Sequence, residues 1–312
     1  MRYGKYTLGC RFIDPAILPP FKGSTIRGAF GNALKKAICA LRYQKCGDCI
    51  LKPECLYVRI FETAESPPPA GSKIPTRPHP FVIEPPETNA IHFKSGDQLA
   101  FTLLLFGEAN QKLPYFIYAF DQMGGAGIGK KFSEGGGRFI LETVGHHSGI
   151  IYQKSDGVLN PPNAGTCLVL KNSAAYSQPV SKLSIRFLTP LRLKFQNHLT
   201  EDLPFHILTR SLLRRVSSLF EAFGGGEPDL PYRELVRKAN EIKITHSALD
   251  WSEFRRYSSR QNTGMNMGGI TGEVVYEGDL TPYMPLVDFC EEIHIGKQTT
   301  FGFGKYRAEV IP

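Results

Sequence analysis

Apolar and polar positions along this 312-residue chain follow two periods, one of about two residues and one of about three and a half. Lys5 to Phe12 alternates and predicts a strand, after which Pro15, Pro19 and Pro20 force a turn. Ile26, Ala29, Phe30, Ala33, Leu34, Ala37 and Ile38 then recur at helical spacing behind Ser24, a candidate N-cap. Leu99 to Phe106 reads as a buried strand, Leu113 to Met123 as a helix with an aromatic core face, and Arg138 to Val144 as a strand that Ile150 to Leu159 extends. The second half repeats the scheme. Leu183 to Phe195 suggests a strand bent at Pro190, and a helix from about Leu203 to Phe223 buries Phe205, Leu208, Leu212, Leu213, Val216 and Leu219 before Gly224-Gly-Gly226 stops it. Lys243 to Tyr257 and Gly269 to Tyr276 read as strands, and a helix over Leu280 to Ile293 leads into a last strand, Lys305 to Ile311.

The two halves share a punctuation. Gly124-Gly-Ala-Gly-Ile-Gly-Lys-Lys131, with Gly135-Gly-Gly137, lies between a helix and a strand, and so does the run from His294 through Gly296, Lys297, Gly302, Gly304 and Lys305 to Arg307. Glycine allows close backbone approach and φ > 0, and cations suit phosphate, so each run reads as a loop that holds a polyanion. P-loops and dinucleotide fingerprints place their glycines between a strand and the following helix, which excludes both. Each half therefore reads β-α-β-β-α-β, the order of a ferredoxin-like unit. The expected fold is α+β, two tandem ferredoxin-like domains over residues 1–165 and 180–312 with antiparallel sheets and helices on one face.

Composition narrows the partner. The formal charge of +8 favours an acidic ligand, most simply nucleic acid. The longest apolar runs are too short to span a bilayer and the first residues have no apolar signal core, so a cytoplasmic protein with no membrane contact is expected. Four of seven cysteines, Cys39, Cys46, Cys49 and Cys55, crowd one segment around a C-x2-C turn. Thiolates at that spacing suit a structural tetrahedral metal in a small insertion at about 39–55, zinc or an iron–sulfur cluster. The proline-rich stretch from Ser66 to Pro86 reads as a surface connection. Arg27, Lys35 and Lys36 mark the polar face of the first helix, either solvated or facing phosphate, and Arg210 and Arg214 lie off the apolar stripe of the long helix.

Three stretches resemble the CRISPR repeat-RNA processing endoribonuclease family of the repeat-associated (RAMP) superfamily. They are Pro20-Phe-Lys-Gly-Ser-Thr-Ile-Arg-Gly-Ala-Phe-Gly31 with the cysteine cluster, Arg255-Arg-Tyr-Ser-Ser-Arg260-Gln with Gly268-Gly-Ile-Thr-Gly272, and His294 to Tyr306. The resemblance implies an endoribonuclease that needs no catalytic metal, cuts precursor CRISPR RNA within its repeats, and holds repeat RNA alone or beside other effector subunits. The 2′-hydroxyl would attack the adjacent phosphorus and leave a 2′,3′-cyclic phosphate and a 5′-hydroxyl, a reaction that needs a base, an acid and cations. Related enzymes place a histidine soon after the first helix, yet 24–76 contains none. That leaves Tyr43, Lys36 and Lys45 as local catalytic candidates with the motif-linked His294, for which a structural C-cap or hydrogen-bonded role is the favoured reading, while His146-His147 reads as a surface pair. RNA contacts are expected from Arg27, Lys130, Lys131, Arg210, Arg214, Arg255, Arg256, Arg260, Lys297, Gly302, Gly304 and Lys305. The missing histidine keeps open a non-catalytic RNA-binding subunit of the same superfamily.

Overall fold

The strand at the centre of the first half, β1 (Arg2–Phe12), turns Tyr6, Leu8, Cys10 and Phe12 into a core and leaves Lys5 and Thr7 on the open side. The computed structural model describes residues 1–41, 44–66, 74, 76–130, 136–160, 166–196, 198–199, 202–258 and 263–311, with backbone alone at 255–258, 264 and 265. These divide into two units, Met1–Cys167 and Leu168–Pro312.

In the first unit β1 is followed by α1 (Gly23–Ile38), a short helix α2 (Leu56–Ile60), β2 (Phe81–Glu84), β3 (Gln98–Phe106), α3 (Leu113–Ala126), β4 (Phe139–His146) and β5 (Gly149–Gln153). The sheet order is β2-β3-β1-β4-β5 with antiparallel ladders throughout. Phe30 of α1 anchors the core, its ring 4.5 Å from that of Phe120 and 5.5 Å from that of Phe116 on α3. Burying an aromatic ring of this size contributes about 1.5–3 kcal/mol, so this contact is a main tie between the helices.

The second unit runs β6 (Lys182–Leu191), α4 (Phe205–Phe223), α5 (Tyr232–Lys238), β7 (Lys243–Ser258), β8 (Thr263–Glu277), α6 (Met284–Ile293) and β9 (Tyr306–Val310). Its sheet order is β7-β8-β6-β9, again antiparallel. Both units thus place the first strand between the third and the fourth, with a helix crossing over after the first and third strands. Mixed α and β structure with antiparallel sheets is what the hydrophobic periods predicted.

Several details differ from the sequence reading. The proline-rich stretch contains β2, whose four residues are all buried, because Pro80 and Pro85 bracket a run too short to show a period. Helix α1 begins at Gly23 with Lys22 at the N-cap position and no side-chain cap, so Ser24 sits inside the first turn. A 3-10 turn, Thr281–Tyr283, precedes a shorter α6. Strand β8 starts six residues before Gly269, and β7 and β8 pair from Lys243↔Glu277 to Ser258↔Thr263. Since β8 meets β6 only from Ile270 onward, the far part of this hairpin extends past the sheet.

Candidate nucleic-acid interface

The two glycine-rich runs fold into the same device. In the first unit Ile128 N–H donates to Gly137 O at 3.0 Å, Gly137 N–H to Pro15 O at 3.0 Å, and Lys130 N–H to Ile17 O at 3.0 Å. In the second, Ile295 N–H donates to Gly304 O at 3.1 Å, Gly304 N–H to Pro190 O at 3.0 Å, and Lys297 N–H to Arg192 O at 2.8 Å. Position by position the pairs correspond, so the helix C-terminus, the strand entry and the segment after the first strand are laced together identically in each unit. The glycines are needed at these points: a Cβ on Gly137 or Gly304 would overlap the carbonyl oxygen of Ile128 or Ile295, at φ +66° and +73°.

This corrects the ligand-binding role expected of Gly302 and Gly304. Both are buried. Gly302 N–H donates to Thr299 O at 2.8 Å and Gly302 O accepts from Thr189 Oγ1 at 2.7 Å, and the Gly304 amide is spent on Pro190. The close approach is to the unit's own backbone. Exposed at the surface of the two devices are Lys130 and Lys297, in equivalent positions, with Lys305 half-buried beside the second. Lys131 lies outside the described residues.

His294 caps α6 with φ 60° and ψ 155°, a region almost reserved for glycine. It is fully buried, and Nδ1 donates to Phe303 O at 3.0 Å. Arg215 of α4 donates through Nε to His294 O at 3.0 Å and through Nη2 to Ile293 O at 2.8 Å, satisfying carbonyls at the helix end. Burial pushes the Arg215 guanidinium down to about 10. The imidazole therefore acts as a clamp on the loop, the structural alternative in the sequence, and has no solvent-facing surface from which to act on a phosphodiester.

The polar face of α1 is mostly committed as well. The Arg27 guanidinium lies 3.9 Å from the centroid of the Phe61 ring, and Lys35 Nζ lies 5.9 Å from that of Tyr57. Phe61 packs so closely on the helix that a Cβ at Gly31 would overlap its ring. Lys22 is also buried, with Nζ donating to Thr88 O at 2.7 Å and Pro20 O at 3.0 Å, and desolvation lowers its pKa. The Pro20–Gly31 motif thus holds the helix in place, and among its cations Arg27 is a stacking contact before it is an RNA contact. Lys36 is exposed at the end of α1, while Tyr43 lies outside the described residues.

Arg210 and Arg214 project from α4 into solvent. Arg255 and Arg256 sit in β7 opposite Asn266 and Met265, in the projecting part of the hairpin, and Phe254 packs its ring edge-on, 5.7 Å from Phe303 of the glycine device. The side chains of Arg255 and Arg256, and all of Arg260, lie outside the described residues. Two basic or imidazole groups escaped sequence reasoning. Arg192 donates to Gly268 O at 2.8 Å and ties the device to the hairpin, and His79, set after the prolines, donates from Nδ1 to Ile60 O at 3.2 Å. Neither stands in a periodic or glycine-marked context that would single it out.

The four clustered cysteines are reduced and half-buried. Cys49 N–H donates to Cys46 O at 3.4 Å, closing the C-x2-C turn, and Cys46 and Cys55 pack against the edge of the core. Burial first, then nearby Glu62, Cys55 and Cys39, raise the Cys46 pKa against the opposing pull of Lys35. Cys39 and Cys55 are thus near enough to act on Cys46, and among the described residues no three ligating groups stand at metal-binding separation. The donor chemistry of four thiols fits a soft tetrahedral ion. No helix among the described residues is long and apolar enough to cross a membrane.

Comparisons with known proteins agree with this architecture. Residues 185–306 match the family model described as CRISPR-associated endoribonuclease Cas6, and residues 1–164 match a model described as an N-terminal domain. An uncharacterised protein of Archaeoglobus fulgidus is 24% identical over 306 residues, 93% of this chain and 92% of that one. Among solved structures, Thermus thermophilus Cas6 superposes with a TM-score of 0.54 at 14% identity, covering 99% of this chain and 98% of its own. A Cas6 product complex gives 0.55 at 14% identity over 98% and 100%. A chain of a partial Cas6-RT-Cas1–Cas2 complex gives 0.58 at 13% identity over 99% of this chain. This chain spans 46% of that one, and 29% of its counterpart in a further Cas6-RT-Cas1–Cas2 complex. The match of residues 185–306, in the unit that carries the second glycine device, to the Cas6 model and a fold shared with Cas6 structures along the whole chain bear out the resemblance to the CRISPR repeat-RNA processing endoribonuclease family.

Proposed function

We propose that this protein is a CRISPR-associated endoribonuclease that binds precursor CRISPR RNA repeats and cuts them without a catalytic metal. The two units are read as tandem ferredoxin-like domains, residues 1–165 and 180–312. The observation that carries the reading is the duplicated glycine device, each copy presenting one exposed lysine, Lys130 or Lys297, within a fold shared with Cas6. An exposed cation on each device suits a phosphate contact, and the projecting hairpin with Arg255 and Arg256 suits a structured or splayed RNA. In this mechanism the 2′-oxygen attacks phosphorus, the bond to the 5′-oxygen breaks, and a 2′,3′-cyclic phosphate and a 5′-hydroxyl result. Lys36, exposed at the end of α1, would offset charge on the phosphorane. Cys39, Cys46, Cys49 and Cys55 would hold a zinc ion, or an iron–sulfur cluster, that supplies structure alone.

Cleavage of a cognate repeat RNA in excess EDTA, with the product ends identified by whether phosphatase needs a prior acid step to remove the terminal phosphate, tests this directly. Site-specific cutting with a cyclic end is expected, and tight binding without cutting refutes it. A second reading, a non-catalytic RNA-holding subunit of an effector complex, is favoured by the burial of His294. The same assay separates the two. Partnership with other CRISPR proteins, suggested by the chains named in the Cas6-RT-Cas1–Cas2 complexes, is part of either reading.

A further inference from the structure

One polar cluster of the first unit lies at the opposite end of β4 from the glycine device. At the end of β4 the chain turns through His147 and Ser148 into β5, with His146 opposite Gly149. The two imidazole rings lie 3.9 Å apart, centre to centre, and His146 also lies 5.5 Å from the ring of Tyr6. The wall behind it is fixed: the Tyr6 hydroxyl donates to Asn110 Oδ1 at 3.1 Å, and Asn110 Nδ2 donates to Leu105 O at 3.2 Å and Gly107 O at 3.0 Å. A Cβ on Gly4 would overlap both Asn110 and Tyr6. His146 is half-buried and His147 and Ser148 are exposed. The ladder between β1 and β4 ends at Thr7↔Gly145, and the short pairing with Thr166–Cys167 begins at Tyr3, so the turn stands beside the stretch of β1 between those two ladders.

Resting on the endoribonuclease reading above, we propose that His146 and His147 are the base and the acid of repeat-RNA cleavage. Neutral His146 takes the proton of the attacking 2′-hydroxyl through Nε2 while a bond forms from the 2′-oxygen to phosphorus. As the bond from phosphorus to the 5′-oxygen breaks, the His147 imidazolium gives that oxygen its proton. The result is the cyclic phosphate and a neutral 5′-hydroxyl, and exchange with water restores both rings. The assignment of roles follows from position. Two imidazoles this close do not both keep a proton near neutral pH. His146 is the one whose pKa is lowered, by burial first and then by His147. Its Nδ1 lies 3.1 Å from Ser148 Oγ, and with Nδ1–H donating to that hydroxyl the Nε2 lone pair is left for the proton. Among the described residues, Tyr6 and His147 are the titratable groups in ring contact with His146.

The test is single-turnover cleavage of a cognate repeat RNA by the full chain and by His146→Gln, His147→Gln and the double variant, with RNA affinity and melting temperature as controls. Each single variant is expected to lose about 10²–10⁴-fold in rate with affinity within about threefold of wild type. A repeat whose scissile 5′-oxygen is replaced by sulfur needs no acid, so it should restore His147→Gln to near the wild-type rate and leave His146→Gln slow. If the variants are folded and cut at rates within about threefold of wild type, the pair is not catalytic, even though the protein is an endoribonuclease. If sulfur rescues neither variant, the acid role of His147 is wrong. Failure of the wild type itself to cut removes the reaction, and with it both the proposal and the reading on which it rests.

Discussion

Replacing Gly304 by alanine should unfold the second unit far more readily than its chemistry suggests. The residue holds φ +73°, a conformation that costs an L-residue about 1–2 kcal/mol. Its added Cβ would overlap Ile295 O, so the two segments must part, and with them go the Ile295 to Gly304 and Gly304 to Pro190 hydrogen bonds, about 1 kcal/mol each. Together these give roughly 3–4 kcal/mol, and for a unit of this size about 3 °C per kcal/mol, a fall of about 10 °C. Gly225 supplies the internal control. Its φ is +92° but nothing lies within 4 Å of a Cβ there, so Gly225→Ala should cost only the backbone term, about 3–5 °C. Gly296, where the Cβ would stand 2.7 Å from Arg192 O at φ +81°, should fall between them. Calorimetry of the full chain, following the transition of the second unit, measures the series. Because the device is duplicated, Gly137→Ala should cause a matching loss in the first unit. If Gly304→Ala and Gly225→Ala melt within about 2 °C of each other, the glycines are not spacers and the clasp is misread.

Two further outcomes follow from the surface and the cysteine turns. Charge reversal at Lys130 and Lys297 together should weaken repeat-RNA binding and flatten the log–log salt dependence by about 1.4, twice the roughly 0.7 expected per phosphate on a single strand. An unchanged slope removes these lysines from the RNA path. Replacing Cys46 and Cys49 by serine should abolish bound zinc or iron in the purified protein and lower the melting temperature of the first unit, while RNA affinity survives below that temperature. Loss of RNA binding from a fully folded variant would instead make the cluster part of the RNA surface.

Much of the architecture was legible because period and punctuation agreed. The apolar stripes of α1, α3 and α4 and the alternation of β1 each matched one element, and the two glycine runs exposed the internal repeat. Strand β2 was not legible, because four buried residues between prolines carry no period and their strand character comes from pairing with β3, a contact distant in sequence. The candidate site divides in the same way. Lys130 and Lys297, which the sequence offers as RNA contacts, are exposed beside a bend, but sequence could not tell that the neighbouring glycines approach their own carbonyls and not a ligand, since both uses demand the same residue. Arg27 and Lys22 look like surface charge in a helical pattern until Phe61, Phe93 and the Thr88 carbonyl arrive from elsewhere in the chain.

The internal symmetry breaks at one informative position. Where the first unit has Gly127 at φ 79° and ψ 159°, the second has His294 at φ 60° and ψ 155°. A side chain in that region costs about 1–3 kcal/mol, and it persists here because Arg215 grips both terminal carbonyls of α6 and the imidazole itself bonds Phe303 O. Comparing His294→Ala with His294→Gly isolates the strain, since both lose the ring and its hydrogen bond but only glycine relaxes the backbone. At ordinary positions alanine is the more stable of the two by about 0.4–1 kcal/mol, through the entropy of the unfolded chain. Here glycine should win by about 1–2 kcal/mol in urea unfolding, the strain relieved less that entropic handicap. If His294 only clamps the loop, the glycine variant, once folded, should also cut repeat RNA within about threefold of wild type. Alanine proving as stable as glycine would show that the backbone there is not strained, and a folded glycine variant that has lost cleavage would return His294 to the chemistry.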